Sequence, residues 1–403
     1  MAAGALFLIW WVAIRRGPAL DWNSEAWPAV RALLAGHLGR FLALSPAYGG
    51  SLGLRAPFML SAELWHGSEW SVYTAGAVPA LLASGALGIW LAARLRGTRR
   101  PLLGAGVAVL VCAANPLTLP ALQYGHPEEL LGAVLCAAAV VGAVRDRPAW
   151  AGLLLGLAIA NKEWAVLGIG PVLVALPRHR IRTLVVACAI AGAVMAPFML
   201  GQPGGGLSGS VAAAAQSTGQ IFNQWQIWWF FGSHSHVVAG RHLVLPWRVA
   251  PGWINGVAHP LIVALMLPLT ALYAWVRRGA RRRRRTDALL LLALLLLLRC
   301  VLDPWDISYY ALPFAMALAA WEVLGCSRPP VLALGASGIA WLIFLEPGGL
   351  NFNLSMDAQA ILFTAVAVTA LIALALAVYA PGAAGRRLAP RPREKTAAAP
   401  AAA

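Results

Sequence analysis

The chain has 403 residues, of which 60% are hydrophobic and only 11% charged, leaving more apolar surface than a soluble domain could hide. Its apolar blocks are long, rich in Leu, Ala, Val and Gly, and lack period-two alternation, which excludes an outer-membrane barrel and leaves helices in a bilayer. The formal charge of +16 points to no nucleic-acid partner, because the basic residues stand in short runs between apolar blocks, where they anchor topology beside anionic headgroups.

About twenty apolar residues cross a bilayer. Twelve candidate crossings follow in chain order, at 1–14, 72–93, 102–122, 130–144, 149–161, 164–177, 183–200, 258–276, 287–302, 309–325, 330–346 and 358–380. The first has the look of a signal-peptide core, but Arg15 and Arg16 follow it with no small-residue cleavage site, so a retained helix is expected. The fifth and sixth are short and read as a broken pair turning at Asn161-Lys162-Glu163, a turn that protein or a wet cavity must cover. Two loops are long. Residues 15–71 hold an amphipathic stretch from Trp27 to Leu44, and residues 201–257 end in Trp225, Trp228, Trp229, Phe230 and Phe231; both are expected as interfacial helices. The expected fold is an all-α polytopic membrane protein, one domain over 1–380, with a basic, Pro- and Ala-rich disordered tail at 381–403. Cys112, Cys136, Cys188, Cys300 and Cys326 are scattered without a CxxC and read as packing residues.

Threading these stretches with the N-terminus inside puts most of the 31 basic residues on the inner face. Of the 15 acidic residues only Asp146, Asp287, Glu322 and Glu394 join them there. Arg15 and Arg16 are the exception, since this threading leaves them outside. The Arg bias, with Lys162 and Lys395 the only lysines, suits a GC-rich bacterial genome and so a bacterial cytoplasmic membrane. The reactive residues then collect at the outer face.

Four clusters there bear chemistry. Asp21 and Glu25 follow the first helix; a carboxylate beside Trp22 at the membrane edge is partly shielded from water, the setting of a general base, while the plainer role is a helix cap. Gln123, Tyr124, His126, Glu128 and Glu129 crowd the third outer turn, where Pro127 opens a helix and the two glutamates serve either a substrate or the helix dipole. Lys162, with Glu163 beside it, should not stay unpaired; its partner is either a substrate phosphate or a carboxylate on another helix. Arg299 precedes Asp303 by one turn, so a local ion pair is the plain reading and a (di)phosphate contact the functional one, with Asp306 and Tyr309 close by. His234 and His236 are too few for a metal site, and no cofactor is expected, while a divalent-metal requirement stays open. No P-loop, GxGxxG, HExxH or GxSxG motif stands in suitable context, which argues against a nucleotide-driven pump and the common hydrolases.

The run from Gln123 to Leu131, followed by Ala151-Gly152-Leu153-Leu154-Leu155-Gly156-Leu157-Ala158 leading to Lys162, resembles the core of polyprenol-phosphate-sugar glycosyltransferases of the C-type membrane fold. The mannosyltransferase-like branch is the most similar, and the likeness extends loosely over residues 20–200. The later Asp-Pro-Trp-Asp-x-Ser-Tyr-Tyr stretch from Asp303 is similar to a late outer-face turn of such proteins. The turn departs from the family's Gln/Asn-type pattern at Gly125-His126-Pro127-Glu128. The resemblance implies transfer of a hexose, mannose by analogy, from a polyprenyl-phosphate donor to an envelope glycolipid or glycan. It also implies an acidic base in the first outer loop, a place that Asp21 matches, with Glu25 as substitute. The lipid-phosphate sugar is then a co-substrate that removes any need for ATP. Two other classes stay open: a lipid-linked-sugar flippase or secondary transporter, and a non-catalytic envelope scaffold.

Overall fold

A computed structural model describes residues 21–64, 67–98, 100–201, 221–234, 237–239, 243–245, 247–278, 285–344 and 354–380. The expected helix at 1–14, the Arg15/Arg16 pair, His236 and the tail at 381–403 lie outside the described residues.

The long first loop is mostly helical. A π-helical turn (Trp22–Ala26) leads into α1 (Trp27–Leu34) and then α2 (Leu38–Leu44), separated by Gly36 at φ +76°. α3 (Gly49–Glu63) packs on α4 (Glu69–Arg94), which Ser68 caps by accepting the Ser71 N–H at 3.3 Å. Trp22, Val30, Phe41, Leu52, Met59 and Tyr73 join in a satellite core, so the amphipathic pattern read from 27–44 buries its apolar face here.

The stretch from 101 to 124 breaks into α5 (Pro101–Ala113) and α6 (Thr118–Tyr124). Asn115 makes the break tolerable: its Nδ2 donates to the Val111 carbonyl (3.0 Å) and Ser337 Oγ (2.9 Å), and its Oδ1 accepts the Leu117 N–H at 3.0 Å. α7 (Pro127–Val144) and α8 (Pro148–Asn161) each open on a proline, whose missing N–H is no loss in a first turn. With 14 residues α8 rises about 21 Å, short of a bilayer core of roughly 30 Å. It stops at Asn161; Lys162 is extended, and a 3₁₀ turn (Glu163–Gly168) enters α9 (Ile169–Ala175). This is the broken pair expected from the sequence.

The remaining helices are α10 (Arg180–Gly201), α11 (Gly252–Val276), α12 (Asp287–Leu302), α13 (Leu312–Cys326, entered by a 3₁₀ turn Ser308–Ala311), α14 (Val331–Ile343) and α15 (Met356–Tyr379). Among the described residues seven helical stretches are long and apolar enough to cross a membrane, and three apolar helices are shorter. The figure of twelve adds α12 and the stretch at 1–14 to these. The windows of α7 and α13 are 78% and 83% buried inside the protein, whereas those of α10 and α15 are 17% buried and turn their apolar sides outward. α12, leucine on every side, is buried on every side.

In the described part of the second long loop, short strands stand where an interfacial helix was expected. β1 (Ile221–Phe222) and β2 (Ser233–His234) flank β5 (Arg248–Val249), and β3 (Val237–Ala239) pairs with β4 (Leu243–Leu245), all antiparallel. Four residues of the aromatic cluster, Trp228 to Phe231, sit in a 3₁₀ turn (Ile227–Phe231) that docks through the Trp228 and Trp229 indole N–H groups. Trp228 donates to the Leu302 carbonyl at 2.8 Å and Trp229 to Asp357 Oδ1 at 2.7 Å, so two of these tryptophans bind helix ends.

Where the arginines gather, Arg94 and Arg145 both lie over the Trp90 ring, 5.0 and 4.6 Å from its centroid. Arg277 pairs with Asp287 at 2.8 Å. Buried Glu322 accepts the Leu332 and Ala333 N–H groups opening α14, at 3.2 and 2.8 Å, which explains two of the acids on that side.

Candidate functional site

Three turns meet at the opposite end of the bundle: α6 to α7, α8 to α9, and α12 to α13. Gly125 ends α6 at φ +96°, a conformation natural to glycine. A Cβ there would meet Trp22 Cβ at 2.7 Å and the Trp22 backbone nitrogen at 2.9 Å. That close approach seats Asp21, one residue earlier, beside His126.

A chain of charged groups starts at this contact. Asp21 Oδ2 lies 3.3 Å from His126 Nε2, and His126 Nδ1 lies 2.7 Å from Glu128 Oε1. Glu128 Oε2 accepts from Arg55 Nη2 at 3.2 Å. Lys162 Nζ stands 3.8 Å from Glu128 Oε1 and 3.7 Å from Glu129 Oε1. Glu129 Oε2 accepts the Trp164 indole N–H at 2.9 Å and faces Arg299 Nη1 at 3.5 Å. Aromatic rings wall the cluster: Tyr309 stacks on His126 (5.3 Å), Tyr48 lies under Lys162 (4.3 Å), and Tyr310 and Trp164 flank Arg299 at 4.2 and 5.2 Å. The Tyr48 hydroxyl donates to Glu25 Oε2 at 2.8 Å.

Burial opposes a charge on His126, but the Glu128 carboxylate and the hydrogen bonds to Asp21 and Glu128 outweigh it and raise the imidazole to about 9. At neutral pH it is an imidazolium clamped between two carboxylates. Asp303 is also buried, yet His259 (Nε2 3.5 Å from Oδ2) and Arg299 hold it below the usual carboxylate range. Asp306 goes the other way: burial first, then the neighbouring Asp303, push it well up.

Most residues singled out from the sequence therefore converge. Asp21 does not cap its helix; its side chain goes to His126. Glu128 and Glu129 are fully buried and engaged by side chains, beyond any service to the helix dipole. Lys162 meets carboxylates of another helix, the structural of its two options, whereas Glu163 is exposed. The local Arg299–Asp303 pair does not form. Asp303 is already extended (ψ 127°) where α12 ends, so the one-turn face relation is lost; Arg299 turns to Glu129 and Asp303 to His259. Asp306 is buried, and its backbone carbonyl accepts from Asn223. Tyr124 reaches the cluster through Tyr309, at 6.1 Å, while Gln123 is half-buried on α6 outside the chain of ion pairs. Among the described residues no group of three or more His, Cys, Asp and Glu side chains is placed to hold a metal ion.

Arg55, Tyr48, Ser51, Trp164 and His259 are members that the sequence reading missed. A lone arginine inside the apolar run Leu52–Leu60 was the available signal, since a charge there must find a partner.

Residues 56–304 match the model of glycosyltransferase family 87. The matched stretch contains His126, Glu128, Glu129, Lys162, Arg299 and Asp303 and leaves Asp21 and Glu25 outside it. No curated protein matches the chain. Among solved structures it is similar to ArnT from Cupriavidus metallidurans bound to undecaprenyl phosphate, at 15% identity and a TM-score of 0.46, with 94% of this chain and 74% of that one covered.

Proposed function

As the chain belongs to glycosyltransferase family 87, we propose that it moves a hexose, mannose in our reading, from a polyprenyl-phosphate donor to a glycolipid or glycan acceptor of the cell envelope. The reaction takes place at the outer face of a bacterial cytoplasmic membrane, the face opposite the arginine-rich loops. The observation that carries this reading is the convergence of Asp21, His126 and Lys162 on one cluster at that end of the bundle. Asp21, its side chain 35% exposed, is the only carboxylate in the Asp21–His126–Glu128 chain with room to meet a hydroxyl.

The acceptor oxygen attacks the anomeric carbon as the bond from that carbon to the phosphate oxygen breaks. The hydroxyl proton passes to Asp21, and the bonding electron pair leaves with the lipid phosphate. One displacement of this kind inverts the anomeric configuration. Lys162 and Arg299 receive the phosphate. Both stand 3.5 Å or more from Glu129, too long for strong hydrogen bonds, so a phosphate anion competes well for their donors. Glu25 and Tyr48 support the acceptor side, and Asp303, Asp306, Tyr309, Tyr124 and Gln123 line the approach to the sugar.

Membranes carrying the protein, supplied with radiolabelled polyprenyl-phosphate mannose and an envelope lipid extract, test this. Wild type should label a glycolipid or glycan, and Asp21→Ala and Lys162→Ala should not. Undiminished labelling by both variants would overturn the assignment.

A further inference from the structure

Glu128 raises a question that its expected role does not answer. It is fully buried, and its two oxygens are already taken by Arg55, His126 and Lys162, so it has no face for a substrate. Its shortest side-chain contact, at 2.7 Å, is to His126, so its influence on the base passes through that imidazole.

Arg55 controls that influence. It lies on α3, fully buried, with Nε donating to Ser51 Oγ at 3.1 Å and to the Ser51 carbonyl at 3.3 Å. Ser51 Oγ donates to Asn161 Oδ1 at 2.9 Å, and Asn161 Nδ2 donates to the Glu128 carbonyl at 2.7 Å. Arg55 Nη2 closes the ring on Glu128 Oε2. Glu128 is thus fixed at both its backbone and its carboxylate by groups from α3 and α8. One oxygen is neutralised by the guanidinium, and the other is aimed at His126 Nδ1.

We propose that Arg55 is a positioning residue of the transfer reaction: through Glu128 it holds the His126 imidazole so that Nε2 faces the Asp21 carboxylate. This rests on the reading of Asp21 as the base. The guanidinium is needed because a buried carboxylate that loses its cation either takes up a proton or swings to the next one. Beyond the imidazolium itself, the next cation is Lys162, 3.8 Å from Oε1, and a turn of the carboxylate toward it breaks the aim on Nδ1. The groups facing His126 are Asp21 before α1, Glu128 on α7, Lys162 after α8, the Tyr48 ring edge before α3 and the stacked Tyr309 before α13. None of them duplicates the Nδ1 contact.

The test uses the full chain in detergent micelles, labelled with ¹⁵N-histidine, with the His126 signals identified by their loss in His126→Asn. Wild type should show a downfield Nδ1–H proton from the short bond to Glu128. Glu128→Gln and Arg55→Met should lose it, and Arg55→Lys should restore part of it. In the transfer assay Arg55→Met should lower kcat roughly 100-fold, the cost of misplacing a reacting group by about an ångström, with donor KM within twofold. A retained downfield proton in Arg55→Met overturns the proposal, as does a change confined to KM, which would make Arg55 a direct substrate ligand. Should Arg55→Met not accumulate, Ser51→Ala decides, since it removes the hydroxyl that Arg55 Nε and Asn161 share, keeps only the backbone acceptor for Nε, and leaves the charge in place. The same losses in weaker form support the proposal, and an unchanged proton with unchanged kcat overturns it. The proton signal needs no substrate, so an active Asp21→Ala enzyme would sink the base assignment without touching this result.

Discussion

The Ser51 hydroxyl donates to the Asn161 side chain at 2.9 Å, tying α3 to the end of α8 across 110 positions of chain. The bond forms only because Gly50 lets the two backbones touch: a Cβ there would lie 2.1 Å from the Ala160 carbonyl oxygen. Gly50→Ala must push α3 off α8 and open the Arg55–Glu128 ring. We expect a loss of about 3 kcal/mol or more, at the upper end for overpacked sites, read as a lower unfolding temperature in detergent together with weakened transfer.

Gly125→Ala should separate stability from catalysis. The substitution strains a positive φ, at about 1–2 kcal/mol, and drives a methyl into Trp22. Because Asp21 precedes Trp22, transfer should fall at least tenfold while the protein still folds. Normal activity in a folded Gly125→Ala protein would show that the position of Trp22 does not govern the base.

Asp21→Asn keeps the shape of the side chain and removes its capacity to take a proton. Transfer should drop about 100-fold or more, in the range usual for loss of a general base. Glu25→Gln should have a smaller effect, since Glu25 is held by Tyr48 rather than by His126. Initial rates at saturating donor check both.

His126 makes stability depend on pH with a defined sign. Its folded value, about 9, lies above the ordinary 6.5, so the stabilisation is complete below about 6.5 and is lost as pH rises through about 9. Thermal unfolding scanned from pH 6 to 10 should show this decline, and His126→Asn should flatten that part of it. An identical slope in the variant would refute the clamped imidazolium.

Arg299 is held by ring faces on two sides, Tyr310 at 4.2 Å and Trp164 at 5.2 Å. A lysine keeps the charge but neither stacks nor presents a planar fork. Arg299→Lys should raise the donor KM about tenfold, equivalent to roughly 1.4 kcal/mol, in line with a desolvated cation–π contact.

Membrane helices were legible because twenty apolar residues in a row carry their own signal. Most described spans begin and end within a few residues of the stretches read from the sequence, and the turn at Asn161–Glu163 stands where it was expected. The second long loop was not legible, because tryptophans that would anchor at a lipid interface and tryptophans that donate to Leu302 and Asp357 look the same in one dimension.

Hydrophobicity and charge are additive along a chain, so the sequence alone settled a helical membrane protein, its polar turns and the residue types at them. Ion pairing is not additive; it depends on which helices touch. Only the tertiary structure decided that Arg299 leaves Asp303 for Glu129, that Lys162 meets two glutamates of α7, and that Arg55 stands behind Glu128. A buried charge takes the nearest compensating partner in space, and those partners lie up to 170 positions away in the chain.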